Sequence, residues 1–132
     1  MRPAAALAAL LMLGACGQAD KPASGDKFAG LDTEILTWRQ DILKGDKLCQ
    51  SQAEGQKCEG FEVVCKAERA VTPDEAAKGV TVKVVAALNW NGFDMKFKQA
   101  QRATAASLFT RTKGAWTRAE HAPVNLSTCA DL

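Results

Sequence analysis

The sequence predicts an α+β domain, one N-terminal helix packed on an antiparallel sheet of about four strands and held by disulfides. Three observations carry that expectation. Leu31, Ile35, Trp38 and Ile42 fall at spacings of four, three and four, the period of a helix with one apolar face. The stretches 61–67 and 80–90 alternate across two faces, as half-buried strands do. Beyond Cys16 the chain holds four cysteines, an even number that suits two disulfides in an oxidising compartment.

That compartment is read from the first residues. Met1-Arg2 supplies a positive charge, and after Pro3 the run from Ala4 to Leu13 is entirely apolar. Such a run suits the core of a signal peptide and is too short for a spanning helix, which needs about twenty residues. Leu13-Gly14-Ala15-Cys16 follows. This tetrad resembles the lipobox of bacterial lipoproteins, whose pattern is leucine, two small residues and cysteine. The resemblance implies cleavage before Cys16, acylation of its sulfur and amine, and several acyl chains where a single one would bind a membrane only marginally. Gly17 stands where an aspartate commonly retains lipoproteins in the inner membrane. In a cell with two membranes the resemblance therefore implies the periplasmic leaflet of the outer one.

Three regions result: a signal peptide over 1–15, the lipidated Cys16 with a polar tether over 16–30, and a single domain over 31–132. The tether reading rests on Gly17 to Lys27, which is polar, broken by Gly and Pro, and free of any apolar period. The mature chain has room for one small domain. Of the seventeen Lys and Arg of the whole sequence only Arg2 falls in the leader, so sixteen stand against fifteen Asp and Glu, near neutral and with no electrostatic case for nucleic acid.

The helix is expected at 31–44, with Leu36 and Leu43 widening its stripe and Phe28 extending it backwards. Asp32 or Thr33 can cap its start, and Gly45 suits a left-handed residue past its end. Trp38 on the stripe reads as core rather than as a ligand contact. A polar loop from Asp46 to Gly60 carries Cys49 and Cys58. Four cysteines allow three pairings. Cys49–Cys58, closing the loop, with Cys65–Cys129, fastening the tail, is preferred. A metal site is disfavoured, because no Cys-x-x-Cys pair occurs and His121 is the only histidine.

Phe61, Val63, Cys65 and Ala67 are expected on the buried face of the first strand. Thr72 to Gly79 reads as one helical turn, with a Thr cap, Pro at the first position and acids early. In the next strand Val80, Val82, Val84, Ala86, Leu88 and Trp90 share a face. Asn91-Gly92 is the strongest short hairpin signal, since both central residues of a type I′ turn need positive φ. A turn there would pair Trp90 with Phe93, Leu88 with Met95 and Ala86 with Phe97. A second hairpin is expected from 103–112 and 115–121 through Lys113-Gly114, with a bulge near the turn to reconcile adjacent Leu108 and Phe109. Val124, Leu126 and Cys129 would dock and anchor the tail. This order resembles cystatin-like and nuclear-transport-factor-like folds, a likeness of element order that transfers no function.

In the Asn91-Gly92 register Lys83, Lys96, Lys98 and Arg102 share the face away from the core, a solvated surface or a basic face for an acidic partner. No phosphate loop, nucleotide fingerprint, acidic metal cluster or cofactor motif occurs. His121 has no catalytic signature around it, and Glu59 and Glu62 form no evident acid–base pair. Two function classes follow. The first is a non-catalytic binding or assembly module that holds an envelope protein or polymer; the second is a small pocket-bearing enzyme or ligand carrier. A filled core with an exposed patch or an open strand edge favours the first. A deep apolar cavity with convergent polar groups favours the second.

Overall fold

A computed structural model describes residues 26–132. The leader, Cys16 and the first part of the tether lie outside the described residues. The order is α1 (Leu31–Gly45), β1 (Glu59–Arg69), α2 (Pro73–Ala77), β2 (Val80–Asp94), β3 (Gln99–Thr112) and β4 (Ala115–His121), with a 3₁₀ turn at Lys47–Cys49. The strands form one antiparallel sheet in the order β1-β2-β3-β4. One main helix and a four-stranded antiparallel sheet make this an α+β fold.

The predicted stripe is the buried one: Leu31, Ile35, Trp38 and Ile42 meet Val82, Val84, Ala86, Leu88, Trp90 and Phe109. Trp38 packs edge-on against Phe109, with ring centroids 5.8 Å apart. Leu36 does not widen the stripe; it is 56% exposed. Neither Asp32 nor Thr33 caps the helix. Gly30 holds that position at φ 89°, and Gly45 is the last helical residue. The left-handed glycine therefore stands before the helix rather than after it. A Cβ on Gly30 would lie 3.3 Å from the Trp116 ring, whose Nε1 donates to the Ala29 carbonyl at 2.8 Å.

Residues 26–30, placed in the tether from sequence, are docked on the domain. Arg111 Nη1 donates to the carbonyls of Asp26 and Lys27, and Lys27 Nζ lies 2.8 Å from Glu68. A polar sequence hides this, since the contacts are made by backbone carbonyls and a charged side chain.

The largest departure concerns Asn91-Gly92. β2 runs straight through this pair, with Trp90 opposite Ala103, Asn91 opposite Arg102 and Gly92 opposite Gln101. The chain reverses at Met95–Lys98, where Asp94 Oδ1 accepts from the amides of Lys96 (2.8 Å) and Phe97 (3.0 Å). Gly92 serves a close approach: a Cβ there would stand 2.7 Å from Leu48 Cβ and 3.0 Å from the Leu48 carbonyl. The type I′ geometry belongs to Lys113 (φ 51°) and Gly114 (φ 83°), between paired Thr112 and Ala115.

No bulge interrupts β3 against β4. Leu108 and Phe109 point oppositely because both faces of the sheet are apolar. Phe109 lies under the helix, and Leu108 packs with Val85, Ala87, Ala106, Val124 and Cys129 under the C-terminal tail. Register shifts lie in β1, at 59–62 and 63–65, and in β2 between Val80 and Val82, opposite Thr112 and Arg111 beside the Lys113-Gly114 turn. Those in β1 divide its predicted face: Phe61 reaches the helix side and stacks on Trp90, while Cys65 and Ala67 reach the tail side and Val63 is exposed.

α2 forms as predicted, with a full capping box between Thr72 and Glu75. The Thr72 amide, together with Lys83 and the Thr72 hydroxyl, holds the Glu75 carboxyl below the ordinary carboxylate range. Cys49 is bonded to Cys58 and Cys65 to Cys129, the preferred pairing.

Candidate functional site

β3 is twice the length of β4, and that inequality creates the site. β4 pairs only with Ala106–Thr112 and ends at His121. Pro123 follows, a residue that cannot donate to a ladder. The chain then turns onto the tail face, where Val124 bridges Asp131 and Cys129 is tied to Cys65. Residues Gln99–Ala105 remain paired with β2 on one side, and among the described residues no strand lies on the other. Alternate backbone amides and carbonyls of this stretch point outward, as at any sheet edge.

A depression of about 410 Å³ occupies the place where β4 would have continued. Trp38, Ile42 and Trp90 wall it on the helix side, and Val124 and Leu126 on the tail side. Asp46, Thr104, Glu120 and His121 give it polar edges. Trp90 is 2% exposed, and its Nε1 is buried without a hydrogen-bond partner. The core itself is filled: Val82, Val84, Val85, Ala86, Ala87, Leu88 and Phe109 are all buried. The depression is a notch in the sheet edge rather than a cavity between helix and sheet.

At the far end of the open edge, the 95–98 turn exposes Met95 and Phe97, the latter at 65%. Lys96 Nζ lies 5.3 Å from the Phe97 ring centroid. The four basic residues singled out from sequence do not converge. Lys96 and Lys98 lie in this turn, and Arg102 lies on the exposed edge opposite Asn91. Lys83 sits opposite Arg69 and Thr110, with Nζ 3.0 Å from Glu75 Oε2 and its side chain 18% exposed. It is separated from the tip by most of β2, roughly 35 Å at ~3.3 Å per residue. Moving the turn from 91–92 to 95–98 is what parts them.

The opposite edge of the sheet is built differently. β1 carries two bulges and the charged side chains of Glu59, Glu62, Lys66 and Glu68, features that blunt an edge against pairing. The Gln99–Ala105 stretch is regular against β2 and has Arg102 as its one charge.

His121 is engaged within the fold. Nδ1 lies 2.7 Å from the Ala122 carbonyl, and Nε2 lies 3.5 Å from Asp131. The buried Ser107 hydroxyl accepts from Arg118 Nη1 at 3.1 Å. These partners hold the rims of the notch in place. Among the described residues no three His, Cys, Asp or Glu side chains are grouped to hold a metal ion, and no helix is long and apolar enough to cross a membrane. The length mismatch between the last two strands, with Pro123 after the second, is the sequence signal that locates the open edge.

Comparison with protein-family models, with curated proteins and with solved structures finds no match to this chain.

Proposed function

We propose that this chain is a lipid-anchored protein of the cell envelope, tethered through Cys16, whose domain is a non-catalytic binding or assembly module. The open edge of β3 at Gln99–Ala105, beside a filled core, is the observation that carries the reading. Two disulfides suit an exported chain. The Leu13-Gly14-Ala15-Cys16 tetrad supports anchoring, and Gly17 supports the periplasmic leaflet of an outer membrane. Partners are an envelope protein or polymer, with the membrane engaged through the lipid. The order of one helix followed by an antiparallel meander supports the likeness to cystatin-like folds.

The notch gives a second reading its footing. Glu120 and His121 at its rim could orient a small ligand, as in a carrier or a small pocket enzyme. The 2.7 Å contact of Nδ1 with the Ala122 carbonyl already engages the His121 ring within the fold, and this favours the binding module.

Site-directed photocrosslinking in intact cells tests the proposal. A photoreactive residue at Gln101 or Thr104 is expected to capture an envelope component, and one at exposed Leu36 on the helix is not. Cys16→Ser should abolish acyl labelling and reduce capture. Equal capture from all three positions, or none from the edge, overturns the reading.

A further inference from the structure

We infer that the open edge of β3 accepts an extended, acidic peptide segment of a partner protein as a fifth strand, an inference that rests on the binding-module reading. The Gln99–Ala105 stretch offers about 23 Å of unpaired edge at ~3.3 Å per residue, enough for some seven residues of extended chain. Main-chain hydrogen bonds supply pairing, and the two faces supply selectivity. Ala103 and Ala105, packed toward the helix side, are small. A neighbouring strand therefore has room for apolar side chains there, beside Trp38 and Ile42 in the notch.

The opposite face sets the charge. Arg102 is exposed and lies opposite uncharged Asn91. Lys96 and Lys98 stand at the turn just before the edge, where Asp94, whose Oδ1 accepts from two backbone amides, offsets part of their charge. A strand carrying acids toward Arg102 and the tip relieves this field, since opposite charges on neighbouring strands stabilise pairing. The same residue argues against a second copy of this chain. Symmetric antiparallel pairing of 99–105 with itself centres on Arg102 and sets it against its twin, a destabilising like-charge contact. Of the two sheet edges, only this one is free of bulges along its unpaired length.

The probe is a capped heptapeptide, Glu-Val-Glu-Val-Glu-Val-Glu, titrated into full-length protein in mild detergent, with residue-resolved amide exchange as readout. Outward amides within Gln99–Ala105 should slow at least tenfold at saturation, and affinity should fall with added salt. Arg102→Glu should weaken binding at least tenfold. A Lys-Val counterpart should bind at least tenfold more weakly, and a version N-methylated at alternate residues should lose binding while keeping every charge. Binding that survives N-methylation, or is equal for the Lys-Val peptide, overturns strand addition by an acidic segment. So does protection mapping to β1, or no protection at millimolar peptide. A dimer protected at 99–105 overturns it in favour of a second copy. Crosslinking from Gln101 in cells together with a failed titration would retain the binding module and remove this inference alone.

Discussion

Gly92 stands where the disulfide-closed loop crosses the sheet. Leu48 lies over it, and the Cys58 sulfur is 3.4 Å from where a Cβ would be. Its φ is not in the left-handed region, so space and not backbone freedom fixes the residue. Gly92→Ala should destabilise the fold by about 1–3 kcal/mol through overpacking. The exposed neighbour makes the control: Asn91→Ala should stay within about 0.5 kcal/mol. Urea unfolding of the two variants measures both, and a larger loss for Asn91→Ala would restore a turn at this pair. The same residues show how far sequence reaches. Asn91-Gly92 reads as a turn in the sequence because positive φ is a local demand, but the pair lies inside β2, and it is Lys113-Gly114 that meets that demand. A glycine required by a chain segment over forty residues away leaves no local trace. The displaced turn then carried Lys83 away from Lys96 and Lys98, so the basic face assembled from the sequence was divided between two ends of the sheet. Lys96 and Lys98 lie in the 95–98 turn and Arg102 lies further along the open edge, opposite Asn91.

At the scale of elements, the amphipathic helix and the β3–β4 turn were readable because their patterns are local. The bulges of β1 and the two-sided burial of β3 were not, since each depends on what covers the far face. The tail supplies that cover. Cys65–Cys129 spans 64 residues of sequence and draws Val124 and buried Cys129 over Val85 and Ala87; Cys49–Cys58 spans only 9 and closes a loop. Loop-closure entropy alone assigns the long link about 4 kcal/mol and the short one about 2.5 kcal/mol. Paired Cys65→Ala and Cys129→Ala substitutions should therefore cost about 1.5 kcal/mol or more beyond paired Cys49→Ala and Cys58→Ala. Denaturant midpoints at constant slope compare them. Equal losses, or a greater loss from the short loop, would mean that the tail adds little beyond its own ordering. The open edge follows from the same tail: drawn onto the sheet face after Pro123, it cannot continue as a strand beside Gln99–Ala105.

The whole molecule has two unlike ends. Asp26, the start of α1, α2 and the Lys113-Gly114 turn lie at one, and the 46–58 loop and the 95–98 turn lie at the other. Arg111, which binds the Asp26 and Lys27 carbonyls, sits opposite Val82, and β2 continues from there to Asp94, about 40 Å at ~3.3 Å per residue. This polarity was not legible in the sequence, where residues 26–30 read as tether rather than as a dock. Under the proposed anchoring, Cys16 connects to Asp26 through a stretch that spans at most about 35 Å. Averaged over all its orientations, the docked end lies nearer the bilayer than the tip, and the open edge faces partners away from the lipid. A rival outcome is built into the tip, because Met95 and Phe97 flanked by Lys96 and Lys98 could dip into an anionic leaflet. Full-length protein reconstituted into vesicles with headgroup-level quenchers decides between them. A fluorescent residue replacing Lys113 should be quenched more strongly than one replacing Lys96, and Cys16→Ser should abolish quenching at both. The reverse gradient would make the tip a second membrane contact and leave the edge no room for a partner strand.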